Sequence, residues 1–134
     1  MDNTSRIYSI LSVDDSHLIR KFVKISLKSN KTHRLNLIEA EDGQEAYSLI
    51  QDACPDLLIT DYNMPGMNGL ELIVKVRNET SFNPIPIILM TAENDEATIT
   101  QFCQDLNVMF LRKPFMKNRL NELVSDSIKF FYKD

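Results

Sequence analysis

The chain has little of what would tie it to a membrane, an oxidising compartment or a nucleic acid. No apolar run in the sequence approaches the ~20 residues that a membrane-spanning helix needs. The opening residues, MDNTSRIYSI, are acidic and polar and do not lead from a basic stretch into a long apolar segment, so they do not read as a secretory signal. Cysteine is scarce: Cys54 and Cys103 form no Cys-x-x-Cys pair and read as two small apolar residues rather than a disulfide. Basic charge is not in excess either. The formal net charge of −4 argues against nucleic-acid binding, which calls for a basic stripe. Repeats, low-complexity tracts and linkers are absent from the sequence as well. What remains is a composition 43% hydrophobic and 25% charged, in 134 residues, enough for one domain with a sizeable core and expected in the cytoplasm.

The apolar residues follow two alternating periods. IYSILSV (Ile7 to Val13) reads as a mostly apolar strand, and Ser16 to Lys28 as a helix with apolar rows Leu18, Phe22, Ile25 and Ile19, Val23, Leu27. RLNLIEA is a short strand, and the next helix opens with Asp42 as N-cap and Glu45 three residues on, a capping-box spacing. Its inward face is Ala46, Tyr47, Leu49, Ile50 and Ala53. DLLIT is the third strand, and Leu70 to Arg77 the third helix, capped by Asn68. The fourth strand lies within Ile85 to Met90, where Pro86 can only open it, because proline brings no ladder donor. Asp95 to Leu106 is helical, with Ile99, Phe102, Cys103 and Leu106 on one face. VMFL is the fifth strand, and Met116 to Phe131 the last helix, with Met116, Leu120, Leu123, Val124, Ile128 and Phe131 inward. Strands alternating with helices predict a parallel sheet covered on both faces, which also explains the near-continuous apolar strands.

In an open parallel sheet the strand C-termini lie along one edge, and ligands bind there. Just past the strands stand Asp14 and Asp15, then Asp61, then Thr91, then Lys113. Three carboxylates repel one another and raise each other's pKa unless a cation lies between them. A hard divalent ion with oxygen ligands answers that need, and Mg²⁺ binds through one or two carboxylates, waters and phosphate oxygens. Lys113 adds a point charge for a phosphoryl oxygen and Thr91 a hydroxyl donor. Together they describe phosphoryl transfer to an aspartate, which can form an acyl phosphate. Taken singly, each residue has a plainer reading: an Asp after a strand is more often a cap or turn residue. Asp15 or Ser16 can cap the first helix, Asp42 and Asp56 read as ordinary acids, and His17 and His33 as exposed residues without a metal-ligand partner. Convergence at one end of several strands separates the functional reading from the plain one.

At these residues the chain resembles the receiver domain of two-component response regulators, over about Arg6 to Phe131. The matching pieces are VDDS (from Val13), DLLITDYNMPGMNG (from Asp56), PIPIILMTA (from Pro84) and FLRKPF (from Phe110). The resemblance implies a flavodoxin-like, doubly wound (βα)5 fold with sheet order 2-1-3-4-5, and one receiver domain over residues 1–134 without an output domain. Asp61 would be the phosphoacceptor. Asp14, Asp15, Asp61 and the backbone carbonyl of Asn63 would hold Mg²⁺, for which Mn²⁺ could substitute. Thr91 and Lys113 would meet the phosphoryl group, Ala92 would leave room for phosphate, and Lys113–Pro114 would be a cis peptide. Phe110 would turn inward as Thr91 moves to the phosphoryl group, a shift between two packings. Asn63 and Glu93 match the pair of chemotaxis-type receivers, implying a short-lived phosphoryl group. In DLNV, Asn107 stands where the family often has glycine and can take the same positive φ.

The implied function is a stand-alone signalling switch that receives its phosphoryl group from a histidine kinase or phosphotransfer protein. Its output would be a downstream protein bound on the face of the fourth helix, fifth strand and fifth helix. Neither nucleic-acid binding nor membrane insertion is expected, and the chain would be a monomer or a weak phosphorylation-dependent dimer. A chemotaxis or motility regulator is favoured over a phosphorelay intermediate or phosphate sink. The only catalysis expected is of its own phosphoryl transfer and loss. An aspartyl-phosphate phosphatase of the haloacid dehalogenase type would need an acid where this chain has Asn63.

Overall fold

Residues 6–79, 81, 84–92 and 96–132 are described by a computed structural model, in which the two apolar periods resolve into alternating strands and helices. In chain order they are β1 (Ile7–Val13), α1 (His17–Lys28), β2 (Arg34–Ala40), α2 (Gly43–Ala53) and β3 (Leu57–Asp61). Then come α3 (Gly69–Asn78), β4 (Ile87–Thr91), α4 (Glu96–Leu106), β5 (Met109–Arg112) and α5 (Lys117–Phe131). The strands form one parallel sheet in the order β2-β1-β3-β4-β5, as the resemblance implied. Every residue of β3 and β4 is buried, which is why those segments read as unbroken apolar runs.

The pleat divides the core in two. Tyr8, Ile10, Leu57, Ile59, Ile88, Met90 and Leu111 pack with Val23 and Leu27 of α1 and Leu120, Val124 and Ile128 of α5. On the other face Leu11, Val13, Leu58, Ile87 and Leu89 meet Ala46, Ile50, Leu72, Ile73, Val76, Ile99 and Cys103 from α2, α3 and α4. Each of the fully buried Leu and Ile side chains contributes about 1.5–3 kcal/mol relative to exposure. Polar caps set where the helices begin. Ser16 rather than Asp15 caps α1, its Oγ accepting from Ile19 N–H at 3.3 Å. Asp42 accepts from Glu45 N–H at 2.8 Å, but Glu45 reaches back to Glu41 N–H, one residue upstream of a true capping box. The reciprocal box forms instead at α3, between Asn68 and Glu71.

Several expectations about faces need correction. Of the two apolar rows of α1, only the second turns inward; Leu18 is 75% exposed, and Phe22 and Ile25 are exposed as well. On the last helix Met116 and Phe131 also face outward, and so does Ala53 at the end of α2. Cys103 is a core residue, but Cys54 is exposed and caps α2 in the left-handed region at φ 47°. His33 is half-buried, not exposed: its ring meets Tyr8 edge-on at 5.6 Å, and its Nδ1 is sealed without a hydrogen-bond partner among the described residues. Burial, with the charge of Lys129, holds its pKa below the usual histidine value. Asp56, read as an ordinary acid, fastens the lower end of the sheet. It accepts from Ser9 N–H at 2.8 Å and, through its carbonyl, from the Tyr132 hydroxyl at 2.5 Å. Asn107 takes φ 55°, as the missing glycine required.

Candidate functional site

Each acid of the site stands where a strand passes into a loop. Asp61 ends β3 and is buried, and Asp14, 1% exposed, follows the last residue of β1. Because Val13 pairs with Thr60, the next step along both strands sets Asp14 beside Asp61. Lys113, just beyond β5, closes the group: its Nζ lies 2.7 Å from Asp61 Oδ1 and 3.1 Å from Asp14 Oδ2. Asp15 is exposed beside them, and one carboxylate oxygen from each of Asp14, Asp15 and Asp61 falls within 4.8 Å of the others. Residues separated by as many as 99 positions are thus brought together by strand register.

Asp14 is fixed from four directions. Its N–H donates to Ala40 O at 3.2 Å, and its carbonyl accepts from Arg20 Nη1 at 2.7 Å. Its carboxylate accepts from Ser16 N–H at 2.9 Å through one oxygen and from Lys113 through the other. Behind Asp61 the chain returns very closely: Gly69 N–H donates to Tyr62 O at 2.9 Å, and a Cβ on Gly69 would lie 2.1 Å from Asp61 O. Gly66, at φ 72°, supplies the left-handed turn that makes this return possible.

Burial raises the pKa of Asp61 above the usual carboxylate value, and the charge of Asp14 adds to that; the hydrogen bond from Lys113 only partly opposes it. For Lys113, burial alone would lower the pKa. Its hydrogen bond to Asp61 and the charges of Asp14 and Asp61 outweigh burial and hold the ammonium above its usual value. Three carboxylates against one ammonium leave an imbalance that a divalent cation would neutralise. Oxygen donors clustered at this spacing fit a hard ion such as Mg²⁺.

The remaining predicted residues distribute as follows. Thr91 ends β4, is buried, and its carbonyl accepts from Lys113 N–H at 2.8 Å. Leu89 pairs with Phe110, so Thr91, two residues on from Leu89, shares Phe110's side of the sheet. Phe110 is half-buried against the core under α4. Ala92 and Asn63 are exposed at the rim, and Lys113–Pro114 is cis. Glu93 lies outside the described residues. Two contributors had no sequence signal: Arg20, and Glu39, which pairs with it at 3.1 Å. In the sequence nothing separates Arg20 from its neighbours Lys21, Lys24 and Lys28.

Fold and site together define a flavodoxin-like α/β domain with an acidic, cation-competent cluster at the carboxyl edge of its sheet. The chain belongs to the response regulator receiver domain family, whose model matches residues 10–125. It is 40% identical over 119 residues to a chemotaxis protein CheY homolog of Campylobacter jejuni, covering 87% of this chain and 89% of that protein. It is likewise 40% identical over 115 residues to the chemotaxis protein CheY1 of Helicobacter pylori, covering 84% of this chain and 90% of that one. Among solved structures, the chemotaxis response regulator CheY4 of Vibrio cholerae matches with a TM-score of 0.78 at 30% identity, over 91% of this chain and 99% of that chain. No described helix is long and apolar enough to cross a membrane.

Proposed function

We propose that this receiver is a chemotaxis-type signalling switch that accepts a phosphoryl group on Asp61 from a phosphohistidine donor. The observation that carries the reading is the convergence of Asp14, Asp61 and Lys113, with ion pairs of 2.7 and 3.1 Å, at the ligand-binding edge of the sheet. A carboxylate oxygen of Asp61 forms the new bond to phosphorus as the phosphorus–nitrogen bond breaks, and the electron pair returns to the donor's imidazole. Asp14, Asp15, Asp61 and the Asn63 carbonyl would hold Mg²⁺, which supplies charge neutralisation to the phosphoryl oxygens. Lys113, kept charged by its carboxylate neighbours, shifts a hydrogen bond of its ammonium from Asp61 to a phosphoryl oxygen as Asp61 is modified. Ala92 leaves the approach open.

Thr91 and Phe110, on one side of the sheet, form the switch. The Thr91 hydroxyl moves to the phosphoryl group, Phe110 fills the space released, and the surface of α4, β5 and α5 changes for a partner protein. The donor's docking place is supported by the outward row Leu18, Phe22 and Ile25 on α1. It continues through the Phe22–Phe115 ring contact at 5.4 Å to exposed Met116, next to the Lys113 loop. Lys21 and Lys24 border this row, which suits an amphipathic donor helix with an acidic margin. The likeness to chemotaxis proteins, together with the sequence pair Asn63 and Glu93, favours a short-lived phosphoryl group; a lifetime of hours would count against that assignment.

The direct test is addition of beryllofluoride with Mg²⁺, followed by amide NMR, on the wild type and Asp61→Asn. The wild type should shift at Thr91, Phe110 and the α4–β5 region, and Asp61→Asn should stay unchanged. A silent wild type would refute the phosphoacceptor assignment.

A further inference from the structure

Three of the four basic residues of α1, Lys21, Lys24 and Lys28, point to solvent, whereas the Arg20 side chain is only 11% exposed. Its guanidinium makes two directed bonds, Nη1 to the carbonyl of Asp14 at 2.7 Å and Nε to Glu39 Oε1 at 3.1 Å. Glu39 stands on β2 opposite Ser12 of β1, so the pair ties α1 to two strands. An arginine needed only to anchor the helix could take any acceptor on the sheet edge. The acceptor here belongs to the planar peptide that joins Asp14 to Asp15, and the tilt of that plane sets the directions in which both side chains leave the backbone. Asp14 has further restraints, from Ala40, Ser16 and Lys113, but the side chain of Asp15 makes no hydrogen bond among the described residues.

We propose that Arg20, held in place by Glu39, is a positioning residue that fixes the Asp14–Asp15 peptide so that both carboxylates face one divalent cation. The inference rests on the reading of the acidic cluster as a Mg²⁺ site. It has a sharp sign. By Coulomb's law alone, removing a positive charge near three carboxylates should tighten cation binding. Loss of an outer hydrogen-bonding partner that orients metal-binding carboxylates instead weakens binding, by about 10–100-fold. The two effects oppose each other, so the direction of change identifies the role.

The experiment is a calorimetric titration with Mg²⁺ of the wild type, Arg20→Gln, Arg20→Lys and Glu39→Gln, with circular dichroism to verify folding. Arg20→Gln should bind Mg²⁺ about tenfold more weakly or worse. Arg20→Lys should not restore it, because a point charge on a flexible stem does not span both acceptors as the planar fork does. In phosphorylation by acetyl phosphate, the half-saturating Mg²⁺ concentration should rise by the same factor, with the rate at saturating Mg²⁺ within about twofold of wild type, since metal orientation and not the reacting groups has been changed. Affinity that is unchanged or tighter in Arg20→Gln overturns the proposal, and so does full rescue by lysine. If Arg20→Gln fails to fold, Glu39→Gln carries the test: weakened Mg²⁺ binding supports the proposal and wild-type affinity overturns it. A wild type that binds no Mg²⁺ would overturn the metal site itself, a result distinct from a wild type that binds while Arg20→Gln binds equally well.

Discussion

Gly69 offers the most exacting check on the geometry around Asp61, because two general rules disagree about it. Gly69 is the first residue of α3, and by helix propensity alone Gly69→Ala should stabilise the protein by up to about 1 kcal/mol. The structure predicts the reverse. The new Cβ would lie 2.1 Å from the carbonyl oxygen of Asp61, 3.0 Å from its carbonyl carbon and 3.1 Å from Tyr62 Cα. All three are backbone atoms, so no side chain can rotate away, and either the loop or the end of β3 must move. Overpacking costs about 1–3 kcal/mol in ordinary cores, and a clash with fixed backbone belongs at the upper end. Set against the helix gain, a net loss of about 2 kcal/mol is expected, and at the usual unfolding entropy per residue this lowers Tm by about 7 °C.

Thermal and urea melts followed by circular dichroism measure this directly, with Gly66→Ala as the companion. Gly66 has nothing within 4 Å of its missing Cβ and conflicts only through φ 72°, so its cost should be about 1–2 kcal/mol from backbone strain alone. The variants should also differ in function. Gly69→Ala displaces Asp61 and should blunt the beryllofluoride response, whereas Gly66→Ala, with nothing near its added Cβ, should preserve it. A Gly69→Ala protein as stable as wild type with an intact response would refute the close return of the chain behind Asp61.

Three other expectations follow from named contacts. Arg77 reaches from α3 to three carbonyls, Leu106 O at 2.8 Å, Ile85 O at 2.7 Å and Asn107 O at 3.2 Å; Arg77→Ala should cost about 2–3 kcal/mol in urea unfolding, since charged hydrogen bonds are worth about 1.5–3 kcal/mol each and do not add. A loss below about 0.5 kcal/mol, the range of an ordinary surface substitution, would deny it a structural role. The raised pKa of Lys113 contributes stability that is complete below the ordinary lysine value of 10.5 and is lost as pH rises through the folded value. Lys113→Met should therefore melt below wild type at neutral pH, with the gap narrowing in alkali; a constant gap would argue against the ion pairs. Asp61 has the opposite sign: burial raises its pKa, so its ionised form costs stability, which returns as pH falls through the folded pKa. Without Mg²⁺, Asp61→Asn should melt above wild type at neutral pH and lose that advantage in acid, and Mg²⁺ should raise the melting temperature of the wild type more than that of the variant.

The architecture was legible because a parallel sheet buries both faces of its strands, which writes them into the chain as apolar runs. The site was legible because those runs end on Asp14, Asp61, Thr91 and Lys113, and register does the rest. Helix faces were less so. Period alone registers apolar rows on α1 without saying which one the sheet covers, and the row through Leu18, Phe22 and Ile25 is left in solvent. His33 was misread because its burial comes from the ring of Tyr8 on the neighbouring strand, a contact that no local pattern records. Arg20 was missed for a related reason, since its acceptors lie on β2 and just past β1 while its spacing matches three solvent-facing lysines.

Two of these misses are instructive because both lie on α1. Arg20 faces the Asp14–Asp15 peptide, and the outward row of α1 runs toward Phe115 and Met116 beside the Lys113 loop. A helix whose inner side orients an acidic cluster while its outer side remains apolar and basic serves two masters, and neither leaves a motif. The acids at the strand ends are confined to a few residue types by chemistry, so they stand out in one sequence. The residues that aim them need only reach the right backbone carbonyl, and those that would receive a donor need only be apolar and uncovered. Both requirements are met by common residues at ordinary helical spacing, so they become visible only when the fold shows what each side of α1 touches.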